Sequence, residues 1–221
     1  KGDIIIVMPN HAESIVAAAG LDLDIAGITV IGLGEGEQRP TITFTTVATA
    51  DVDIDAADVT VINLLFKCNI NDQTVMIDVN SLDFKALSCE FREGTQNFLT
   101  AIDINGGSSN ACDRAKIRDC RIINPSADGD RAIELGEVAD EVEITGCYIL
   151  GDFDDAGIHN PTGKVLTRML LKDNVVRNLS TGDHAVELVS ACTGEAVGNH
   201  LFGDTLGTIF DPGSLYCTDN W

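Results

Sequence analysis

The sequence predicts an all-β fold in which short parallel strands stack into a coil. Two positions recur along the chain at nearly the same period, which indicates a repeat architecture. Each unit contains short alternating runs rich in Val and Ile, separated by Gly, Asn, Asp and Ser, a pattern typical of strands and turns. A unit of about 25 residues cannot bury its inner face alone, so the units must stack at the spacing of paired strands, about 4.8 Å.

The first recurring position predicts a ladder of side chains that point into the coil. Its successive spacings are 31, 25, 31, 27, 27 and 25 residues. The position is held by Leu33, Leu64, Cys89, Cys120, Cys147, Asn174 and Asn199. A thiol at such a position behaves as a small buried hydrophobe, and stacked amides can hydrogen-bond along the axis, so we predict a structural role for the ladder. Four further cysteines lie outside it and could be more exposed: Cys68, Cys112, Cys192 and Cys217.

The second recurring position predicts an outward column of acidic residues. Its apolar members are Ile25, Ile54, Val79, Ile104 and Leu135, followed by Asn160 and Leu188. Successive side chains of a strand point to opposite faces, so the residue before each of these points outward. The outward residues are Asp24, Asp53, Asp78, Asp103 and Glu134, continued by His159 and Glu187. Like charges on neighbouring turns repel unless solvent, counterions or a partner compensates.

Two interpretations of this column remain open. A strip that binds cations or faces a partner would make four acids the candidate binding or interface residues: Asp53, Asp78, Asp103 and Glu134. A solvated strand face whose outer positions are simply polar is the simpler interpretation, because the outer faces of β-solenoids are commonly polar. We assign no metal to the column.

Composition limits the partners and the domain organisation. The net charge of −21, from 35 acidic and 14 basic residues, would repel nucleic acids and anionic lipid surfaces, so we expect neither as a partner. The seven cysteines include no C-x-x-C pair of the kind found in zinc sites, and we expect no cofactor. The length fits one domain, with a strand and cap in residues 1–20, repeats in 21–201 and a cap or tail in 202–221.

Two motifs could carry chemistry. In GDFDDAGIH, the closely placed Asp152, Asp154 and Asp155 next to His159 could act as general acid and base. No lysine or arginine pair accompanies this cluster, so an acidic turn between two turns of the coil is the simpler interpretation. The glycine-rich GLGEGE follows a strand, but the next segment is QRPTITF, another strand, so the helix N-terminus needed to bind phosphate is missing.

The opening of the chain resembles a known class of proteins. GDIIIVMPNHAESI followed by AGITVIGLGEG, together with the repeats, resembles right-handed parallel β-helix proteins of the pectate-lyase-like class. The same opening with RPTITFT after it also resembles uncharacterised β-helix proteins of tailed bacteriophages. The seven repeat units predict about seven turns, and the resemblance implies a right-handed parallel solenoid. It leaves activity open, because this architecture serves lyases, hydrolases, esterases and viral structural proteins.

We therefore expect a non-enzymatic structural protein of a tailed-phage virion, a capsid decoration protein rather than a tail fibre. Such a protein would form a homotrimer on the capsid surface and contact the major capsid protein or other virion proteins. The alternatives are a polysaccharide lyase or glycoside hydrolase using Asp152, Asp154 or Asp155, a tail fibre or spike, and a cell-surface adhesin module. Aromatic residues make up only 5% of the chain, which disfavours a sugar-stacking surface.

Overall fold

The computed structural model is a parallel β-solenoid of about eight turns. It describes residues 2–108, 111–203 and 209–221, without the side chains of residues 127 and 128. Among these residues the one helical element is a 3-10 turn at Gly36–Gln38. The predicted all-β parallel coil is confirmed, with one turn more than expected from the sequence.

The strands are short and follow one another at regular intervals. In chain order they are β1 (Ile4–Val7), β2 (Ala12–Ile15), β3 (Leu21–Asp22), β4 (Thr29–Gly32), β5 (Thr41–Phe44), β6 (Val52–Ile54), β7 (Thr60–Ile62), β8 (Leu65–Cys68), β9 (Gln73–Val79), β10 (Lys85–Leu87), β11 (Glu90–Glu93), β12 (Phe98–Ile104), β13 (Lys116–Arg118), β14 (Arg121–Glu134), β15 (Ala139–Asp140), β16 (Glu143–Thr145), β17 (Tyr148–His159), β18 (Leu166–Thr167), β19 (Met169–Lys172), β20 (Val175–Asn178), β21 (His184–Glu187), β22 (Gly194–Val197), β23 (His200–Phe202), β24 (Phe210–Asp211) and β25 (Tyr216–Thr218).

Each turn of the chain contributes to two large sheets. Sheet A has nine strands in the order β1-β4-β7-β10-β13-β16-β19-β22-β25. A second sheet of fourteen strands has two parts, joined by the long strands β14 and β17. We call its first part face B, with β2, β5, β8, β11, β20, β23 and the first halves of β14 and β17. Its second part is face C, with β3, β6, β9, β12, β21, β24 and the last halves of β14 and β17. Pairing within these sheets is parallel.

The corner between sheet A and face B depends on one residue in the left-handed conformation. Its φ lies between 52° and 68° on seven successive turns. Glycine and short polar residues adopt this conformation most readily, which explains why the repeat keeps a small or polar residue here. The residues are Asn63, Ser88, Asp119, Gly146, Asp173, Gly198 and Asp219.

The core runs along the inside of the solenoid. On face B the ring of Phe66 stacks on Phe91 with 4.9 Å between centroids, and Phe44 lies 6.4 Å from Phe66 on the other side. On face C a row of aliphatic side chains is almost completely buried: Val52, Ile77, Ile102, Ile133 and Ile158. Burying one such side chain contributes roughly 1.5–3 kcal/mol, so the inner rows supply the main favourable term for folding.

The two ends of the chain continue the coil. Residues 1–20, predicted to hold a strand and a cap, contain β1 and β2, which pair with β4 and β5 of the next turn. AESI is extended because its backbone pairs with TITF across this boundary. At this end the core opens into an apolar cavity of about 220 Å³, lined in part by Ile5, Val7 and Leu23. Within the predicted tail, residues 202–221, β25 pairs with β22; residues 204–208 lie outside the described part.

Candidate functional site

Strand pairing on face C places the predicted acids directly opposite one another. Asp53 pairs with Asp78, Asp78 with Asp103, and Asp103 with Glu134. His159 and Glu187 follow on the next two turns. One outward row of carboxyl groups therefore runs along face C, with a single histidine in it.

Both ends of this row differ from the prediction. Asp53 is paired with Asp22, not Asp24, and at the far end Glu187 is paired with Asp211. The predicted inward Ile25 is 58% exposed. In LDLDI either aspartate can be aligned with Asp53, because the two alignments differ by two residues and both place the leucines inside. The sequence pattern therefore could not distinguish Asp22 from Asp24. We call the complete row the acidic column; its members are Asp22, Asp53, Asp78, Asp103, Glu134, His159, Glu187 and Asp211.

The first half of the acidic column is poorly compensated. Asp53, Asp78 and Asp103 are each partly buried, and the Oδ1 atom of each is buried without a hydrogen-bond partner among the described residues. Burial, followed by repulsion from neighbouring acids, raises the pKa of Asp53 to about 6 and that of Asp103 to about 7. Burial also raises the pKa of Asp78. Desolvation and like charges both disfavour the ionised form.

Among the described residues, the second half of the column has one cation beside it. Arg131 forms ion pairs with Glu134 and with Asp155 of the next turn. The Nδ1 atom of His159 lies 3.9 Å from Oε1 of Glu134. The two halves therefore differ in charge balance, although strand pairing spaces their carboxyl groups alike.

The three aspartates of GDFDDAGIH lie on strand β17, so the interpretation as a turn is wrong. Asp152 and Asp155 are partly buried and Asp154 is exposed. The sequence showed no cation beside them, but Arg131 donates a hydrogen bond from Nε to Oδ2 of Asp155 at 3.0 Å. This partner was missed because it comes from the preceding turn, 24 residues earlier. His159 belongs to the acidic column, so the two candidate motifs meet at Arg131.

The inward ladder follows the predicted register from Leu64 onward, but Leu33, predicted as its first member, is 39% exposed. Cys89, Cys120 and Cys147 are each about 1% exposed. The Sγ atom of Cys120 lies 3.4 Å from the Arg118 carbonyl and 3.5 Å from the Ala86 carbonyl. Such buried thiols fill space inside the coil and are shielded from solvent.

The amide part of the ladder is one member longer than predicted. Asn174 donates to the Ile144 carbonyl at 2.7 Å and also to Oδ1 of Asn199 at 3.0 Å. Asn199 donates in turn to Oδ1 of Asn220 at 2.8 Å. Asn220 was missed because no further repeat unit follows it in the sequence.

The prediction for the four remaining cysteines is wrong for three of them. Cys68, Cys112 and Cys192 are fully buried, and only Cys217 of the four is exposed. Cys112 donates to the Val79 carbonyl at 3.0 Å. These residues occupy inward positions in other parts of the coil, which the single ladder register does not reveal.

The outer surface of sheet A divides into a charged part and an apolar part. Lys116 lies 3.2 Å from Glu143, and Arg114 lies 2.7 Å from Asp83, so cations of the middle turns are paired within the surface. Surface pairs of this kind contribute about 0–1 kcal/mol each.

Toward the N-terminal end the outer column of sheet A becomes aliphatic. We call it the apolar stripe; pairing aligns Ile6, Ile31, Ile62 and Leu87.

The glycine-rich segment forms a tight connection, as predicted. Gly34 and Gly36 have φ of 103° and 54°, which glycine adopts without strain. A 3-10 turn of three residues follows and leads into strand β5. So short a turn does not present the aligned N–H groups of a helix N-terminus to a phosphate.

The described residues contain neither a recognisable metal site nor a membrane-spanning helix. Among these residues no group of three or more His, Cys, Asp or Glu side chains is arranged to hold a metal ion. The same part of the chain contains no helix long and apolar enough to cross a membrane. Neither a protein-family model nor a curated protein sequence matches the chain.

Proposed function

We propose that this protein is a non-enzymatic structural component of a tailed-phage virion, a capsid decoration protein that assembles as a homotrimer. The observation that carries the proposal is the apolar stripe. An isolated solenoid gains little from aliphatic side chains on its outer face, whereas an assembled one buries them. The assignment to a phage is supported by the resemblance of the first turns, GDIIIVMPNHAESI and RPTITFT.

The stripe has the properties of an interface between copies. Ile6 is 58% exposed, and Ile31, Ile62 and Leu87 are partly exposed on the three following turns. At a spacing of about 4.8 Å per turn, four side chains make a narrow patch about 15 Å long. Three copies related by a threefold axis would bring three such stripes together along that axis.

The first described turn of the solenoid is the surface that we assign to the capsid. Ile4, Ile5 and Met8 are 61%, 45% and 63% exposed at this end, next to the apolar cavity. Strands β1, β2 and β3 are also the edge strands of their sheets, so their outer backbone groups can pair with another chain. Contact with a capsid protein there would cover both the apolar residues and the strand edges.

A charged substitution in the stripe tests the trimer. Ile62→Lys places a cation in the middle of the stripe, so we expect sedimentation velocity at micromolar concentration to show trimers of the parent protein and monomers of the variant. Thr43→Lys adds the same charge at a partly buried outward position on face B and should leave the trimer intact. A parent protein that sediments as a monodisperse monomer would overturn the proposed assembly.

An activity assay tests the non-enzymatic part of the proposal. Asp155 is paired with Arg131, and Asp152 and Asp154 lie on the same strand. We therefore expect no release of reducing sugar or unsaturated product from acidic or neutral polysaccharides. Turnover that is lost in Asp155→Asn would establish an enzyme instead.

A further inference from the structure

The first half of the acidic column presents carboxyl groups on four consecutive turns. Asp22, Asp53, Asp78 and Asp103 are paired one to the next. Paired strands lie about 4.8 Å apart, so each carboxyl group has a carboxyl neighbour above or below it at close range. If all were ionised, each inner member would be repelled from both sides.

Buried oxygen atoms make this arrangement more unfavourable. The Oδ1 atoms of Asp53, Asp78 and Asp103 are shielded from solvent and accept no hydrogen bond from the described residues. Oδ1 of Asp103 lies over Gly136, where a Cβ atom would come within 2.9 Å of it. A buried acceptor without a donor is costly, so a missing donor is expected at each of these positions.

A proton on one carboxyl group supplies such a donor. A protonated aspartate has one O–H group, which can donate to the orphaned oxygen of the next member. Two carboxylates at close range then share a proton and titrate as a coupled pair. The same proton removes the repulsion between neighbours.

Few nearby groups can offset the negative charge of these aspartates. Groups that face Asp53, Asp78 and Asp103 come from strands β3, β6, β12 and β14 and from the segments beside them. They are Asp22, Asp51, Asp55, Cys112, Arg131 and Glu134. The single cation among them, Arg131, is already paired with Glu134 and Asp155. Asn80, which follows strand β9, donates to Asp55 at 3.1 Å and also hydrogen-bonds the side chain of Asp78, but Oδ1 of Asp78 remains without a donor among the described residues.

We propose that Asp53, Asp78 and Asp103 share protons along the acidic column, so that the solenoid is more stable in mildly acidic solution than in neutral or alkaline solution. The property belongs to the solenoid itself and does not depend on the proposed virion function.

The direction of the effect follows from linkage. Burial and neighbouring acids raise the pKa of Asp53 to about 6 and of Asp103 to about 7, from an ordinary value of 3.8. An acid whose pKa is raised by folding binds its proton more tightly in the folded state than in the unfolded state. Stability is therefore greatest near the unfolded pKa, falls as pH rises through the folded pKa, and levels off above it.

Unfolding at several pH values tests the proposal. Urea unfolding would be followed between pH 5 and 9 in 0.5 M NaCl, which screens the general repulsion of an acidic surface more than that of buried groups. We expect the unfolding constant of the parent protein to rise roughly tenfold per pH unit between about pH 5 and 7, as the release of about one proton on unfolding requires. Above about pH 8 it should level off.

Amide variants separate the column from the rest of the acidic surface. Asp103→Asn supplies a permanent donor without a charge, so it should be more stable than the parent protein at pH 8 and should flatten the pH dependence. Asp78→Asn is the second variant, in case the first does not fold. Asp24→Asn, at an exposed position of the same face, removes an equal charge and should keep the parent pH dependence.

Two results would overturn the proposal. The first is a pH dependence that Asp103→Asn and Asp78→Asn share with the parent protein. The second is a rise in the unfolding midpoint at pH 8 on addition of calcium or magnesium that Asp103→Asn abolishes, which would assign the orphaned oxygens to a cation. Carbon-13 NMR of the aspartate carboxyl groups supplies a direct readout, with the Asp103 signal expected to titrate at about pH 7.

Discussion

Replacing Asn174 with alanine tests whether the amide ladder stabilises the last turns of the solenoid. The side chain is fully buried and sits between the thiol part and the amide part of the ladder. Its Nδ2 atom donates to the Ile144 carbonyl at 2.7 Å, and its Oδ1 atom accepts from the Cys147 N–H at 3.0 Å. The Asn174 side chain therefore supplies hydrogen-bond partners to backbone groups of the preceding turn.

The size of the effect follows from the groups left behind. Asn174→Ala removes the side-chain partner of two buried backbone groups, and each buried polar group left unsatisfied costs about 1–3 kcal/mol. The small space vacated by the amide adds a further cavity contribution. We expect the free energy of unfolding to fall by about 3–5 kcal/mol.

Urea unfolding followed by circular dichroism measures this loss, and Cys147→Ala is the matched control. Cys147 occupies the same ladder one turn earlier, and its Sγ atom makes weak contacts of 3.5 Å to the Ile117 and Thr145 carbonyls. We expect the control to lose about 1 kcal/mol. Equal losses in both variants would show that the amides contribute no more than the volume they fill, which would refute the reasoning.

Three further variants test other parts of the structure. Phe66→Ala opens a hole beside Phe91, whose ring centroid lies 4.9 Å away, and should lower the free energy of unfolding by about 4 kcal/mol in urea titrations. Gly146→Val forces a β-branched residue to a φ of 66°, and differential scanning calorimetry should show a destabilisation of about 2 kcal/mol. Arg131→Met leaves the buried Glu134 without its cation, and we expect a loss of about 2 kcal/mol at pH 8 by urea titration.

The sequence was sufficient to predict the fold and the middle of the acidic column. In VDI, IDV and IDI the apolar residues on both sides of the aspartate must point inward. The sequence alone therefore aligns Asp53, Asp78 and Asp103 on the outer face. At the first turn, LDLDI allows two frames, and the choice of Asp22 over Asp24 depends on how the first turn packs on the second.

The sequence pattern could not predict side-chain contacts between turns. The pairing of Arg131 with Asp155 joins residues whose spacing matches no local motif, so an isolated acidic cluster was predicted where an ion pair exists. Burial of Cys112 and Cys192 also depends on connections between strands whose backbone path varies from turn to turn. Repeats predict which residues align, whereas the balance of charge and burial depends on the side chains that meet across the turns.

Quantitative mass spectrometry of purified virions tests the central claim, that this solenoid is a structural part of a phage capsid. The account predicts that the protein is present in particles of the phage that encodes it, at a copy number that is a multiple of three and in fixed ratio to the major capsid protein. Its absence from washed particles, while the protein is abundant in the infected cell, would contradict the account.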